Sequence, residues 1–135
     1  MRKTKVKGVL VKVIETLAEM IAFPTVSNRP ITELAAMVAH RCEALGFAVE
    51  MFVSPLDDTK VNVVCTAGPN DTDGLILSGH MDVVPAKGQP WSSDPFKLSE
   101  RDGKLYGRGT ADMKGFIAST IHALERLDIS KLKKQ

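Results

Sequence analysis

Two places in this 135-residue sequence carry residues of metal-ligand type. His80 and Asp82 stand two apart, directly after an apolar run, Leu75-Ile76-Leu77, and a small-residue break, Ser78-Gly79. In an extended chain, side chains two apart point the same way, so both project from one side of a strand end. A carboxylate beside an imidazole can accept one ring N–H, which fixes the tautomer and turns the other nitrogen toward a metal. Further along, a glycine-punctuated stretch, Gly107-Arg108-Gly109, leads to a second acid, Asp112. Each group also has a plainer reading when taken alone. His80 and Asp82 make an ordinary surface pair, and Asp112 makes an N-cap for the apolar-periodic helix that follows it. The residues by themselves leave these alternatives open.

The order of several blocks narrows the choice. GHMDVVP, then Trp91 followed by Asp94-Pro95-Phe96, then DGKLYGRGTADMKG, occur in sequence between residues 79 and 115. Together they resemble the di-zinc amidohydrolase and peptidase family of acetylornithine deacetylase and succinyl-diaminopimelate desuccinylase. The resemblance is close over residues 75–115 and loose over the rest. It implies that His80 is a ligand of one zinc, that Asp82 is the catalytic-site acid partnering it, and that Asp112 bridges two zincs, with cobalt as an alternative metal. Zinc accepts imidazole nitrogen and carboxylate oxygen, and one carboxylate spans the roughly 3.5–4 Å of a two-metal site. The resemblance further implies a cis peptide bond between Asp112 and Met113.

The implied activity is hydrolysis of an N-acyl amino acid, N-acetylornithine in arginine biosynthesis first, with succinyl-diaminopimelate or a dipeptide as alternatives. The family's general base belongs to a Glu-Glu pair downstream of the bridging aspartate. Here Glu125 is the only glutamate after Asp112, and it has no Glu neighbour. The resemblance therefore implies that residues 1–135 are the N-terminal part of a catalytic, metal-binding domain. The remaining ligands and the dimerising lid domain are absent, the stretch is inactive alone, and the intact protein is a homodimer. A reading from another class is a non-catalytic module that binds a partner or one metal weakly.

The elements that must position these residues follow from periodicity. Apolar groups at Val6, Val9, Leu10, Val13, Ile14, Leu17 and Ile21 predict a helix over 6–22, ended by Phe23-Pro24. Ile31, Leu34, Ala35, Val38, Cys42 and Leu45 predict a second over 30–45, with Ser27 or Asn28 as its cap, Pro30 in its first turn and Gly46 as its stop. Phe116, Ile117, Thr120, Ile121, Leu124 and Leu127 predict a third over 114–128. Strands are expected at 47–53, 61–66, 74–79, 96–100 and 104–106, the last two joined by a turn at Asp102-Gly103. The run at 75–79 shows no polar alternation, which suggests burial on both faces. The fold class expected is α/β, a layered, zinc-exopeptidase-like domain with a central mixed sheet, helices on both faces, and an incomplete C-terminal side.

Composition excludes several classes. The chain is 44% apolar and 25% charged, ordinary for a globular protein, and its net charge of +2 gives no argument for nucleic acid or membrane. Its basic ends read as solvated termini. No apolar run nears the roughly 20 residues of a membrane span, and the basic start leads into an amphipathic segment rather than a signal peptide, so a cytoplasmic protein is expected. Cys42 and Cys65 read as buried, reduced thiols. His40 reads as a surface residue, His122 as structural, and Trp91 as packing with Pro95 and Phe96 to anchor the loop 85–95. Gly107-Arg108-Gly109-Thr110-Ala111-Asp112 lacks the third glycine of a dinucleotide fingerprint, and no phosphate-cradling Gly-Lys-Ser/Thr occurs.

Overall fold

The structure is a computed structural model that describes residues 2–70 and 73–135, with side chains from Leu10 onward. The expected apolar positions Val6 and Val9 and the basic side chains near the start lie outside the described side chains. Helix α1 spans Arg2–Ala22, α2 Thr32–Ala44 and α3 Lys114–Leu124. Strand β1 (Ala48–Ser54) pairs antiparallel with β2 (Asp57–Thr66), and β3 (Ser99–Arg101) with β4 (Lys104–Tyr106).

One core joins these parts. Leu17, Met20 and Ile21 of α1 meet Ala118 and Ile121 of α3, and Leu34, Val38 and Cys42 of α2 continue the cluster toward the β1–β2 hairpin. Among the described side chains of the α1 stripe, Leu17 and Ile21 are buried, while Leu10 is 57% exposed, against expectation. Length explains this. The 11 residues of α3 run about 16 Å, roughly half the span of α1, so they cover only its last turns. Within that interface His122 is buried, with Nε2 2.9 Å from Thr16 Oγ1 and Nδ1 2.8 Å from Glu125 Oε2. It is structural, as expected, and His40 is exposed.

Local signals decided most boundaries. Gly46, at φ 88°, closes α2 by donating its N–H to the Glu43 carbonyl. Asp102 and Gly103, at φ 51° and 68°, make the tight turn of the β3–β4 hairpin. A Cβ at Gly103 would meet nothing within 4 Å. Gly103→Ala is therefore expected to cost only the left-handed backbone penalty, about 1 kcal/mol, read as a shift in the urea midpoint. A loss several times larger would mean that the turn packs on something.

Several expectations need correction. The third helix stops at Leu124, residues 125–128 form a turn and irregular chain where its last residues were expected, and a short 3-10 turn over Ile129–Lys131, capped by the Asp128 side chain, follows. Residues 96–98 lie outside β3, because Phe96 donates its N–H to Asp94 Oδ1 and Lys97 donates to the Asp94 carbonyl, forming a turn. The largest departure is at 74–79. This run joins no sheet among the described residues, and Leu75, Ile76 and Leu77 are 79%, 88% and 52% exposed. Leu75 N–H donates to the Gln135 carbonyl, but no strand lies alongside. An apolar strand is buried on both faces only when neighbouring strands place it inside a sheet. The class is α/β, but the strands form two separate two-stranded antiparallel sheets instead of a central mixed sheet.

Candidate metal centre

Two short segments carry the three candidate residues, and the end of α1 registers both. Residues 25–27 run parallel to 81–83 through the bridge between Val26 and Val83. Val83 N–H donates to the Thr25 carbonyl at 2.8 Å, and Ser27 N–H returns to the Val83 carbonyl at 3.1 Å. The Thr25 hydroxyl grips the Met81 carbonyl at 2.7 Å. On the other side, Lys114, immediately beyond the turn that holds Asp112, reaches back to α1. Its buried Nζ donates to the carbonyls of Met20 at 2.9 Å and Phe23 at 2.7 Å.

This frame brings His80, Asp82 and Asp112 together. His80 Nε2 lies 3.0 Å from Asp112 Oδ1. His80 Nδ1 lies 2.9 Å from the Asp82 carbonyl oxygen and 3.4 Å from Asp82 Oδ1. The backbone carbonyl is thus the nearer acceptor for the imidazole, with the carboxylate alongside. The Ser27 hydroxyl donates to Asp82 Oδ2 at 2.9 Å. Ser27 was expected as a helix cap, but α2 has no side-chain cap and Ser27 serves Asp82 instead. The Asp112–Met113 peptide is cis, as the resemblance implies. The His80 N–H donates to Met113 Sδ at 3.3 Å.

The tautomer follows from these partners. A carbonyl only accepts, so Nδ1 carries the proton. Nε2 of a neutral imidazole is then a lone pair facing a carboxylate oxygen, two acceptors in contact. That arrangement requires a positive centre between them, a second proton or a metal ion. The Asp82 carbonyl, then the Asp112 carboxylate, accordingly raise the His80 pKa above its ordinary 6.5. Two donor atoms each about 2 Å from one zinc stand about 3.3 Å apart at the tetrahedral angle, so the donor set suits zinc in kind. It is short in number. Among the described residues no three His, Cys, Asp or Glu side chains converge to hold a metal.

The pair lies in the wall of an open cleft of about 540 Å³. Trp91, Arg108 and Thr110 also line it. Trp91 is half-buried and the Arg108 guanidinium lies over its ring at 5.1 Å. Sequence reasoning missed Lys114, Ser27 and Arg108. The GRG block marked the place of Arg108 but not its partners.

The chain is similar to known proteins. Residues 76–135 match the model of Peptidase family M20/M25/M40. This segment belongs to that family. Over 125 residues the chain is 42% identical to an acetylornithine deacetylase from Proteus mirabilis (strain HI4320), an alignment covering 88% of this chain and 32% of that protein. The structure of human carnosine dipeptidase 1 superposes with a TM-score of 0.74 at 29% identity, over 90% of this chain and 29% of the other. The chain thus spans about a third of the length of the proteins it matches. Both relatives are named as hydrolases. No helix among the described residues is long and apolar enough to cross a membrane.

Proposed function

We propose that residues 1–135 form the N-terminal, metal-binding part of a zinc-dependent amide hydrolase that removes the acyl group of an N-acyl amino acid, N-acetylornithine first. The observation that carries the reading is the contact of His80 Nε2 with Asp112 Oδ1 in the cleft wall, two acceptors that need a proton or a metal ion between them. His80 presents Nε2 because Nδ1–H is spent on the Asp82 carbonyl. Asp82, held by Ser27, keeps a negative charge behind the ring. Asp112, 85% exposed at its side chain, has a free face with which to reach a second metal. Zinc bound there supplies Lewis-acid polarisation of an amide carbonyl and a more acidic water. A catalytic zinc takes at least three protein ligands. Further ligands and the general base, a glutamate, then come from outside the described residues. By the same reading the intact enzyme is a dimer that works in arginine biosynthesis in the cytoplasm. The free thiols of Cys42 and Cys65 suit a reducing compartment.

The deciding experiment assays zinc- and cobalt-loaded protein carrying this stretch against N-acetylornithine, N-succinyl-diaminopimelate and a dipeptide. Acetate release from the first supports the reading. Turnover of only one of the others reassigns the substrate within the family. The lack of a three-ligand group favours a second reading, a non-catalytic binding module. That reading prevails if no loaded form turns over any of the three.

A pH dependence follows for the metal. Zinc takes up neutral imidazole, so protons compete with it at His80. Because the neighbouring acceptors raise the His80 pKa, zinc affinity is expected to weaken as pH drops into the range where His80 takes up its second proton. Competition with a zinc-binding dye across about pH 5–8 reads it, with His80→Ala as the reference. The same pH dependence in His80→Ala would show that His80 is not the competing group.

A further inference from the structure

Part of the cleft wall comes from the loop that carries Trp91, and one side chain ties that loop to the turn of Asp112. Arg108 stands four residues before Asp112. Its backbone N–H donates to the Pro95 carbonyl at 2.6 Å. Its Nη2 donates to the Pro85 carbonyl at 3.3 Å and to Gln89 Oε1. Gln89 in turn donates from Nε2 to the Pro85 carbonyl at 3.1 Å and accepts the Trp91 indole N–H at 3.3 Å. The guanidinium covers the Trp91 ring. Nε of Arg108 is buried without a partner, so the hold on the loop comes from Nη2 and from the stacking. Among the described residues no carboxylate pairs with Arg108, and its charge meets only the neutral acceptors of Pro85 and Gln89 and the Trp91 ring. A cation over a tryptophan face contributes about 0.5–2 kcal/mol, more as water is excluded.

We propose that Arg108 is a positioning residue that fixes Trp91 in the cleft beside His80 and Asp112, and that the Trp91 wall selects the size of the acyl group of the substrate. The proposal deepens the amide-hydrolase reading and rests on it for the acyl group, but not for the position of Trp91. The geometry supports it in two ways. Arg108 and Asp112 lie on the same short turn, so the loop is tied to the segment that carries a proposed ligand. Trp91 and both members of the ligand pair line one cleft. A wall held by one guanidinium and by Gln89, itself gripped by that guanidinium, moves when the guanidinium is removed, and a shift of an ångström changes which groups fit.

Trp91 is the only tryptophan in the sequence, so its fluorescence reads the wall directly. Arg108→Met keeps most of the apolar stem and removes the fork and the charge. In the 135-residue chain it is expected to shift the Trp91 emission to longer wavelength and to increase quenching by acrylamide. Gln89→Ala, which removes the shared acceptor without touching Arg108, is expected to do the same to a smaller degree. Circular dichroism of both variants checks that the fold is retained. If Arg108→Met unfolds the chain, Arg108→Lys, which keeps a cation but loses the fork, carries the test. Unchanged emission and quenching in the folded variants overturn the positioning role, whatever any substrate assay shows. In protein active toward N-acyl amino acids, Arg108→Met is expected to alter KM across acetyl, propionyl and succinyl substrates by about tenfold, the lower end of what a pocket contact is worth, with little change in kcat. An even KM across the series overturns the selecting role and leaves the position of Trp91 established. If no N-acyl substrate is turned over, the amide-hydrolase reading fails and with it the selecting role, while the fluorescence still decides the positioning.

Discussion

Lys114→Met is expected to cost this protein about 3 kcal/mol, a large share of the 5–15 kcal/mol that holds a domain of this size. Lys114 is fully buried, an unusual place for a lysine. Its ammonium is held by two carbonyls at the end of α1, Met20 and Phe23. A helix C-terminus carries partial negative charge on its last carbonyls, which offsets part of the cost of burying a cation there. Methionine keeps the length of the stem and loses the donor. The carbonyls of Met20 and Phe23 keep the backbone N–H groups of Phe23 and Thr25, so the loss is that of two hydrogen bonds from a charged donor, each worth about 1.5–3 kcal/mol. Urea denaturation of the two proteins measures the difference, and a loss below about 1 kcal/mol would contradict the argument, being less than one hydrogen bond to a charged group. A pH arm has a definite sign. Burial lowers the Lys114 pKa from 10.5 to about 8. Between those values the unfolded chain binds more protons than the folded one, so stability from this group rises as pH climbs through the window. The methionine variant should lack that rise.

Gly115→Ala is the second large effect. A Cβ at this position would lie 2.2 Å from the carbonyl oxygen of Thr110, a backbone atom that cannot rotate away. Either α3 or the turn that carries Asp112 must move. Overpacking of this kind costs about 1–3 kcal/mol and sometimes more, and here the upper end is expected. The displacement acts on Asp112, so the 3.0 Å contact with His80 should open as well. Gly88→Ala is the control, since Gly88 has φ 81° but open space around it, and about 1 kcal/mol is expected. Comparing denaturation midpoints with the histidine NMR signals separates stability from geometry. Equal losses at the two glycines would mean that the turn yields without strain.

What the sequence made legible was local. Asp102-Gly103 specifies its own turn, Gly46 its own helix end, and the spacing of His80 and Asp82 their shared side. The partnership of His80 with Asp112 was legible only through resemblance, because the residues alone left an N-cap as good a reading of Asp112. What stayed hidden depends on distant partners. Lys114 reads as one more charged residue at a helix start, and the carbonyls that hold it lie 94 and 91 positions away. Ser27 reads as a cap until residue 82 is placed beside it. Leu75–Leu77 read as core because apolar patterning reports a preference for burial, while burial itself is granted by neighbouring strands. The same limit applies to Leu10, whose helical stripe continues past the end of its partner helix.

That unpaired run also governs how the polypeptide behaves in quantity. From Gly74 to Gly79 there is no charge and no proline, the two features by which natural edges discourage unwanted pairing. An extended backbone of this kind offers its amides to any complementary strand, including the same six residues of another molecule. Expressed by itself, the chain therefore faces a kinetic contest in which intermolecular stacking gains with concentration and folding does not. Yield, purification and storage are set at this stretch, far from the residues that would do the chemistry.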